Sequence, residues 1–296
     1  MGAQASAPSQ AVRPELLVEE LLGELKEDDY YARSTHLLDN FLVDDKGQGN
    51  FDASDALPME EAHKMVNPGY LNLEHGYVRV KDGTWYVACL TDLGYEVNGD
   101  MIDWWFCHCD SDEKYRWWHP QDHKRGTWDP QFYAVMPQER TAQHYIDHIQ
   151  IVEEVINGES QHLQIEYERP SKLFDVTSFA ENGITACILG RIYLRDKNLG
   201  LILIGHVCHM VRETNGRSEL RSRFWLGKIT YPETVENVIF ARIVNMVVST
   251  KLFRVLKMPA ATARGLWVHT SQEMHCLREF LPHLYATSQA QTADRK

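Results

Sequence analysis

Three short stretches carry side chains suited to metal or acid–base chemistry. The first is His269-Thr270-Ser271-Gln272-Glu273, with His and Glu at i and i+4. In a helix this spacing puts both on one face, close enough to share an ion. Imidazole and carboxylate together suit zinc, although HxxxE also arises as an ordinary solvated pair. The second is Tyr115-Arg116-Trp117-Trp118-His119-Pro120-Gln121-Asp122-His123, two His residues four apart with Pro between them. Pro120 biases His119 away from helical backbone, so the two imidazoles need not point the same way. One can bind metal while the other packs or hydrogen-bonds, and Asp122 can fix a ring tautomer. The third is Ile149-Gln150-Ile151-Val152-Glu153-Glu154-Val155-Ile156, where acids interrupt an apolar run. Glu153 and Glu154 point to opposite faces of a strand, so only one can face an interior cavity.

Two further clusters are denser in sulfur. In His206-Val207-Cys208-His209 a strand puts His206 and Cys208 on one face and His209 on the other. Neither this nor Cys107-His108-Cys109 has the spacing of a structural zinc site. The six cysteines contain no CxxC pair, and they read as free packing thiols.

The elements that must position these groups follow from periodicity. Residues 1–13 are small and polar, an expected disordered tail. After Pro14, leucines at helical spacing and a second stretch over Tyr31–Leu42 predict a small, mainly helical region to residue 75. A loop over 44–57 and a short helix from Pro58 to Val66 complete it. From Gly76 the pattern turns to strands: His75–Val80, Trp85–Leu90 after the Asp82-Gly83 turn, Leu163–Tyr167, Ile184–Leu194, Gly200–Val211 and Leu220–Ile229. Residues 131–136 and 145–155 also read as extended. A Trp-rich helix begins near residue 98. After Pro232, Val235, Val238, Ile239, Ile243, Val247 and Val248 form an apolar helical face, and a last helix covers about 262–285. Antiparallel strands followed by long helices predict an α+β fold in which a curved sheet wraps a helix and leaves a cavity.

Bulk properties narrow the partners. The 296 residues are 44% hydrophobic and carry a formal net charge of −12. That charge disfavours nucleic acid. No apolar run is long enough to span a bilayer, and no secretory signal pattern opens the chain, so a cytoplasmic protein is expected. Met1-Gly2-Ala3-Gln4-Ala5-Ser6 fits the N-myristoylation pattern. No polybasic patch follows it as a second anchor, so no stable membrane association is expected.

Taken together, Trp104-Trp105, the Tyr115–His123 run, the strand ending in Glu154, Ser222-Arg223-Phe224-Trp225-Leu226-Gly227 and the late His269-x-x-x-Glu273 resemble the 2,4-diacetylphloroglucinol hydrolases and phloretin hydrolases. The resemblance runs over roughly residues 15–285. It implies a helical N-terminal domain over 14–75 and a Bet v1-like helix-grip domain over 76–288. It implies one zinc held by His123, Glu154, His269 and Glu273, with His119 and Glu153 as the alternatives at two of these places. It also implies a homodimer and a small acylated polyphenol as substrate. The reaction would cleave the carbon–carbon bond between an acyl group and a phloroglucinol-type ring, releasing acetate or another carboxylic acid. Glu154, Tyr115 and His209 would be catalytic, and Tyr115, His209 and Phe224 would touch substrate. Phe224 stands where the family pattern has a second pocket tyrosine, and Lys124-Arg125-Gly126 where it has a pocket asparagine. Both departures remove polar contacts and leave the exact substrate open, a different aromatic ketone being equally allowed. A non-catalytic helix-grip carrier of aromatic molecules is the alternative function. A metal-free enzyme of the same fold, using His209 or Tyr115 for acid–base work, is another.

Overall fold

A computed structural model of the chain describes residues 51–233 and 237–293. The helices expected over 14–42, the expected 1–13 tail and Val235 lie outside the described residues. Eight strands form one antiparallel sheet: β1 (Gly76–Arg79), β2 (Trp85–Gly94), β3 (His123–Trp128), β4 (Ile149–Ile156), β5 (Glu159–Glu168), β6 (Ile184–Asp196), β7 (Gly200–Thr214) and β8 (Arg217–Thr230). Their spatial order is β1-β2-β8-β7-β6-β5-β4-β3. Helices α1 (Gly99–His108), α2 (Asp112–Trp118) and α3 (Pro130–Tyr133) lie between β2 and β4 in the chain. Helices α4 (Val238–Val248), α5 (Lys251–Lys257) and α6 (Ala260–Ala293) follow β8. The class is therefore α+β.

Tight turns set the registers. Asn157-Gly158 joins β4 to β5 and Asn215-Gly216 joins β7 to β8, with φ of 54° and 78°, and 54° and 76°. Positive φ at both central residues is the primed turn whose twist suits paired strands, and Asn-Gly adopts it readily.

Both faces of the sheet are covered. On one side Val87, Val152, Leu163, Val207 and Phe224 pack with Trp267, Leu277 and Leu281 of α6 and with Trp105 and Phe106 of α1. On the other, Tyr86, Ala88, Cys187, Met210 and Trp225 pack against Leu57, Met65 and Leu73. This is why β6 and β7 read as apolar runs rather than clean alternation. The 51–75 segment is also tied down by charge. Glu74 accepts from Arg221 Nη2 at 2.6 Å and from Arg223 Nη2, while Arg221 Nη1 donates to the Met65 carbonyl.

Helix α6 touches β1, β2 and β4, strands near opposite ends of the sheet. Flat strands lie about 4.8 Å apart, so β2 and β4 would stand about five spacings from each other. A helix about 10 Å wide meets both only if the sheet curves around it. Register shifts at Asp92/Gly94, Ile192/Tyr193 and Leu203/Gly205 are the bends that allow it.

Three expectations need correction. Of residues 145–155, those before Ile149 lie outside any strand, with Asp147 at φ 66°, and only β4 from Ile149 is extended. Residues 131–133 are helical, not extended: Asp129 caps the turn by accepting from Phe132 N at 3.0 Å, and Pro130 opens it. Aromatic residues favour strands, but a capped N-terminal proline is the stronger local instruction. The apolar stripe of α4 does not pack as one face. Ala241 is buried, whereas Ile239 and Ile243 are 73% and 55% exposed.

Candidate metal centre

Helix α6 begins directly after Pro259 and buries a stripe that includes Ala263, Trp267, Met274 and Leu277. His269 and Glu273 sit one turn apart on that side and are almost fully buried. His123 opens β3 and is wholly buried; its Cα partner across the ladder is Glu154 of β4. Along β4, Gln150, Val152 and Glu154 face inward. Glu153 faces the other way, near Ser160 Oγ and His162.

These four side chains converge. His123 Nε2 lies 3.3 Å from His269 Nε2 and 3.5 Å from Glu273 Oε2. His269 Nε2 lies 3.7 Å from Glu154 Oε2 and 3.9 Å from Glu273 Oε2, and His123 Nε2 lies 3.9 Å from Glu154 Oε1. Tetrahedral zinc ligands at their usual bond lengths stand about 3.3–3.6 Å from one another. Donors on His123, His269 and Glu273 lie within 4.8 Å of one another, close to the spacing such an ion needs, and Glu154 stands beside them, meeting the two rings through different oxygens.

The outer ring nitrogens fix the inner ones. His123 Nδ1 donates to the Tyr115 carbonyl at 2.8 Å, and His269 Nδ1 donates to Asp122 Oδ2 at 3.1 Å. In its neutral form each ring would turn an Nε2 lone pair inward, the arrangement seen where a partner orients a metal-binding imidazole. His119 differs. Its Nδ1 accepts from the Asp122 backbone N–H and its Nε2 donates to Gln272 Oε1. Its ring stacks on His269 at 4.8 Å. Both of its nitrogens are engaged, so it supports His269 rather than competing with His123. His119, Asp122 and His269 also form a close donor group, but that group needs the His269 nitrogen already given to Asp122.

Electrostatics without an ion are uneven. Burial drives His123 down to about 3. Burial also opposes charge on His269, but the Asp122 hydrogen bond and the Glu273 and Glu154 charges outweigh it and raise the ring to about 9. Burial raises the Glu273 carboxyl, only partly offset by His269. The ion-free protein thus keeps a proton on His269 among carboxylates, where a metal ion would supply the positive charge.

The other predicted residues line the same cavity. Tyr115 stacks on His123 at 4.0 Å and its hydroxyl donates to Glu154 Oε1. Burial and Glu154 hold its phenol well above the ordinary range, so it stays a donor. His209 Nδ1 bonds Ser222 Oγ at 2.8 Å, and burial lowers the ring to about 4. Phe224 meets His209 edge-on.

Sequence reasoning missed several contributors. Tyr167 OH donates to Gln150 Oε1 at 2.8 Å, placing a polar pair in the cavity wall. The signal was a lone amide in the apolar β4 run. Gly126 is needed for close approach: a methyl group there would come within 2.5 Å of Tyr115 Cγ. A glycine inside a strand is the sequence mark of such a contact. The six cysteines are buried and none forms a disulfide among the described residues.

Comparison with known proteins gives the family. The chain is 29% identical over 244 residues to the phloretin hydrolase of Eubacterium ramulus, covering 78% of each. Among solved structures, protein Ms6760 from Mycobacterium smegmatis matches 58% of this chain and 90% of its own at 9% identity and a TM-score of 0.29. A protein from Arthrobacter aurescens matches 60% and 85%, again at 9% identity, with a TM-score of 0.27. Those two likenesses are too distant to carry an argument. Residues 57–286 match the DAPG hydrolase PhiG domain, most of the chain and all of the site described above, and the protein therefore belongs to the DAPG hydrolase family.

Proposed function

We propose that this protein is a zinc-dependent hydrolase that cleaves the carbon–carbon bond between an acyl group and a phloroglucinol-type ring. The observation that carries the reading is the pair of inward-facing Nε2 atoms of His123 and His269, 3.3 Å apart, flanked by Glu154 and Glu273. His123, Glu154, His269 and Glu273 would hold the ion. Family membership and the phloretin hydrolase relative support the substrate class. We read the scaffold as a Bet v1-like helix-grip domain over 76–288, supported by the sheet that curves around α6, preceded by an N-terminal region whose 51–75 segment packs on the sheet's other face. A cytoplasmic homodimer with no nucleic-acid or membrane partner belongs to the same reading. The net charge and the exposed apolar residues of α4 and α5 support it, and no helix among the described residues is long and apolar enough to cross a membrane.

The chemistry needs a leaving carbanion. A phloroglucinol ring supplies one by shifting to its keto form, which leaves the acyl-bearing carbon between carbonyls. Breaking the acyl–ring bond then releases an enolate. Bound here, zinc would supply Lewis acidity toward an acyl oxygen or water. Glu154 takes the proton of the attacking water. The hydroxyl joins the acyl carbon, the bonding pair leaves with the ring, and the acid is released. Tyr115 and His209 hold the phenolic oxygens; the ring carbon gains its proton in the shift to the keto form, and the proton taken up by Glu154 returns to the enolate oxygen, restoring the phenol.

The test is elemental analysis with product analysis on purified protein. About one zinc per chain, lost in a His269→Ala/Glu273→Ala variant together with cleavage of an acylphloroglucinol, supports the reading. Protein that takes up no zinc when it is supplied would leave a ligand-carrying helix-grip protein instead.

A further inference from the structure

The metal-side cavity does not end at its aromatic wall. It is small, about 60 Å³, and its lining includes Glu154, His209, His269 and Glu273. A second cavity of about 360 Å³ adjoins it. The two share Ile156, Leu163, Ile192 and Leu266, which form a neck between them. Beyond the neck the walls are Ile204, Leu226 and Met258, and the mouth opens beside Glu159 and Lys257. One side is closed by α6 resting on the β4–β5 turn. A methyl group on Gly265 would come within 2.6 Å of Asn157 Cβ, so glycine is needed for that contact.

We infer that this outer chamber is an acyl-chain channel and that the enzyme takes acylphloroglucinols with long aliphatic acyl groups. The inference rests on the hydrolase reading above. Tyr115, Glu154, His209, His269 and Glu273 line the inner cavity and none of them lines the outer one. A ring held against Tyr115 and His209 leaves its acyl substituent to pass the neck. Between neck and mouth the apolar lining is Ile204, Leu226, Met258, Pro259 and Ala261, with Thr262 beside them. Among the described residues none that lines this chamber is aromatic. An aryl tail would find no edge or face to pair with, whereas a flexible chain needs only apolar walls. Charged and amide side chains appear only at the mouth, where the end of a chain reaches water.

The test is kcat/KM for the zinc-loaded enzyme across acetyl-, butanoyl-, hexanoyl- and octanoylphloroglucinol, with an arylpropanoyl analogue beside them. Each methylene buried in the channel should raise kcat/KM about fourfold until the chain reaches the mouth. Ile204→Trp and Thr262→Trp plug the chamber from two elements, so one variant serves if the other misfolds. Each should lower the octanoyl-to-acetyl ratio by about tenfold or more. A rate highest for acetyl and falling along the series overturns the channel while leaving the hydrolase intact. So does an arylpropanoyl substrate preferred over octanoyl, or plugs that lower every substrate equally. Cleavage of no acylphloroglucinol at all would fell the hydrolase reading and the channel with it.

Discussion

His123 and His269 face each other through their Nε2 atoms at 3.3 Å, each ring anchored from behind by its Nδ1. Two imidazoles aimed at one point from a strand and a helix far apart in sequence leave little room for purposes other than holding a cation or a proton.

Glu154 is expected to be the base, with Tyr115 holding it. Glu154→Gln should lower kcat by about a hundredfold or more in a protein with an unchanged fold. Tyr115→Phe removes a hydrogen bond to a charged group and should cost about ten- to a hundredfold. Steady-state kinetics with circular dichroism check both; a Glu154→Gln enzyme with unimpaired turnover sinks the assignment.

Asp122 acts through His269. Its carboxylate fixes the ring tautomer and orientation, so Asp122→Ala should weaken zinc binding by about 10–100-fold. Competition with a chromophoric chelator measures this directly. Unchanged affinity would mean that the His269 ring is held by its packing on His119 alone.

The raised His269 ring gives zinc binding a pH dependence of definite sign. Its pKa lies above the ordinary imidazole value, at about 9. The proton-linked stability of the zinc-free protein is therefore fully present below about pH 6.5 and is lost as pH climbs through 9. Zinc must displace that proton, so apparent affinity should rise by up to about tenfold per pH unit across this window and level off above it. Titration calorimetry at pH 8 in buffers of different ionisation enthalpy should show about one proton released per ion. Heats that do not depend on the buffer would contradict a protonated His269.

Gly126 and Tyr115 are sterically coupled. Gly126→Val should push the Tyr115 ring off the strand, costing about 1–3 kcal/mol of stability, and should reduce activity at least to the level of Tyr115→Phe. A thermal melt beside a rate measurement separates the two effects. Full activity in the valine variant would show that the ring does not need its place on β3.

Glu74 faces two buried guanidinium groups, Arg221 and Arg223. Glu74→Ala leaves both without their carboxylate and should destabilise the fold by about 3–5 kcal/mol. Denaturant unfolding reads this out; a shift of the size of a surface mutation would place the pair's charge compensation elsewhere.

What the sequence made legible depended on how local each relation was. His269 and Glu273 share a helix turn, so their spacing alone put them together. The choice between Glu153 and Glu154 turned on strand register, which a slip of a single residue reverses. His119 and His123 both end in one cluster, and only the partners of their second nitrogens separate them: Gln272 and the Asp122 amide for one, the Tyr115 carbonyl for the other. Those partners arrive through tertiary packing, which no spacing rule encodes. The α+β class was legible because turn signals such as Asn215-Gly216 separate the long strands. The curvature that brings β2 and β4 to one helix depends on bulges, two of them at Gly94 and Gly205; a strand glycine marks where a sheet can bend but not how far.

The four candidate donors come from the outermost strand β3, its neighbour β4 and the C-terminal helix. An ion among them would be a crosslink as well as a reagent, tying the rim of the sheet to α6 and shortening the free chain available to the unfolded state. Chelation should then loosen β3 and β4 before the rest of the sheet, and the pocket would come apart at the place where it works.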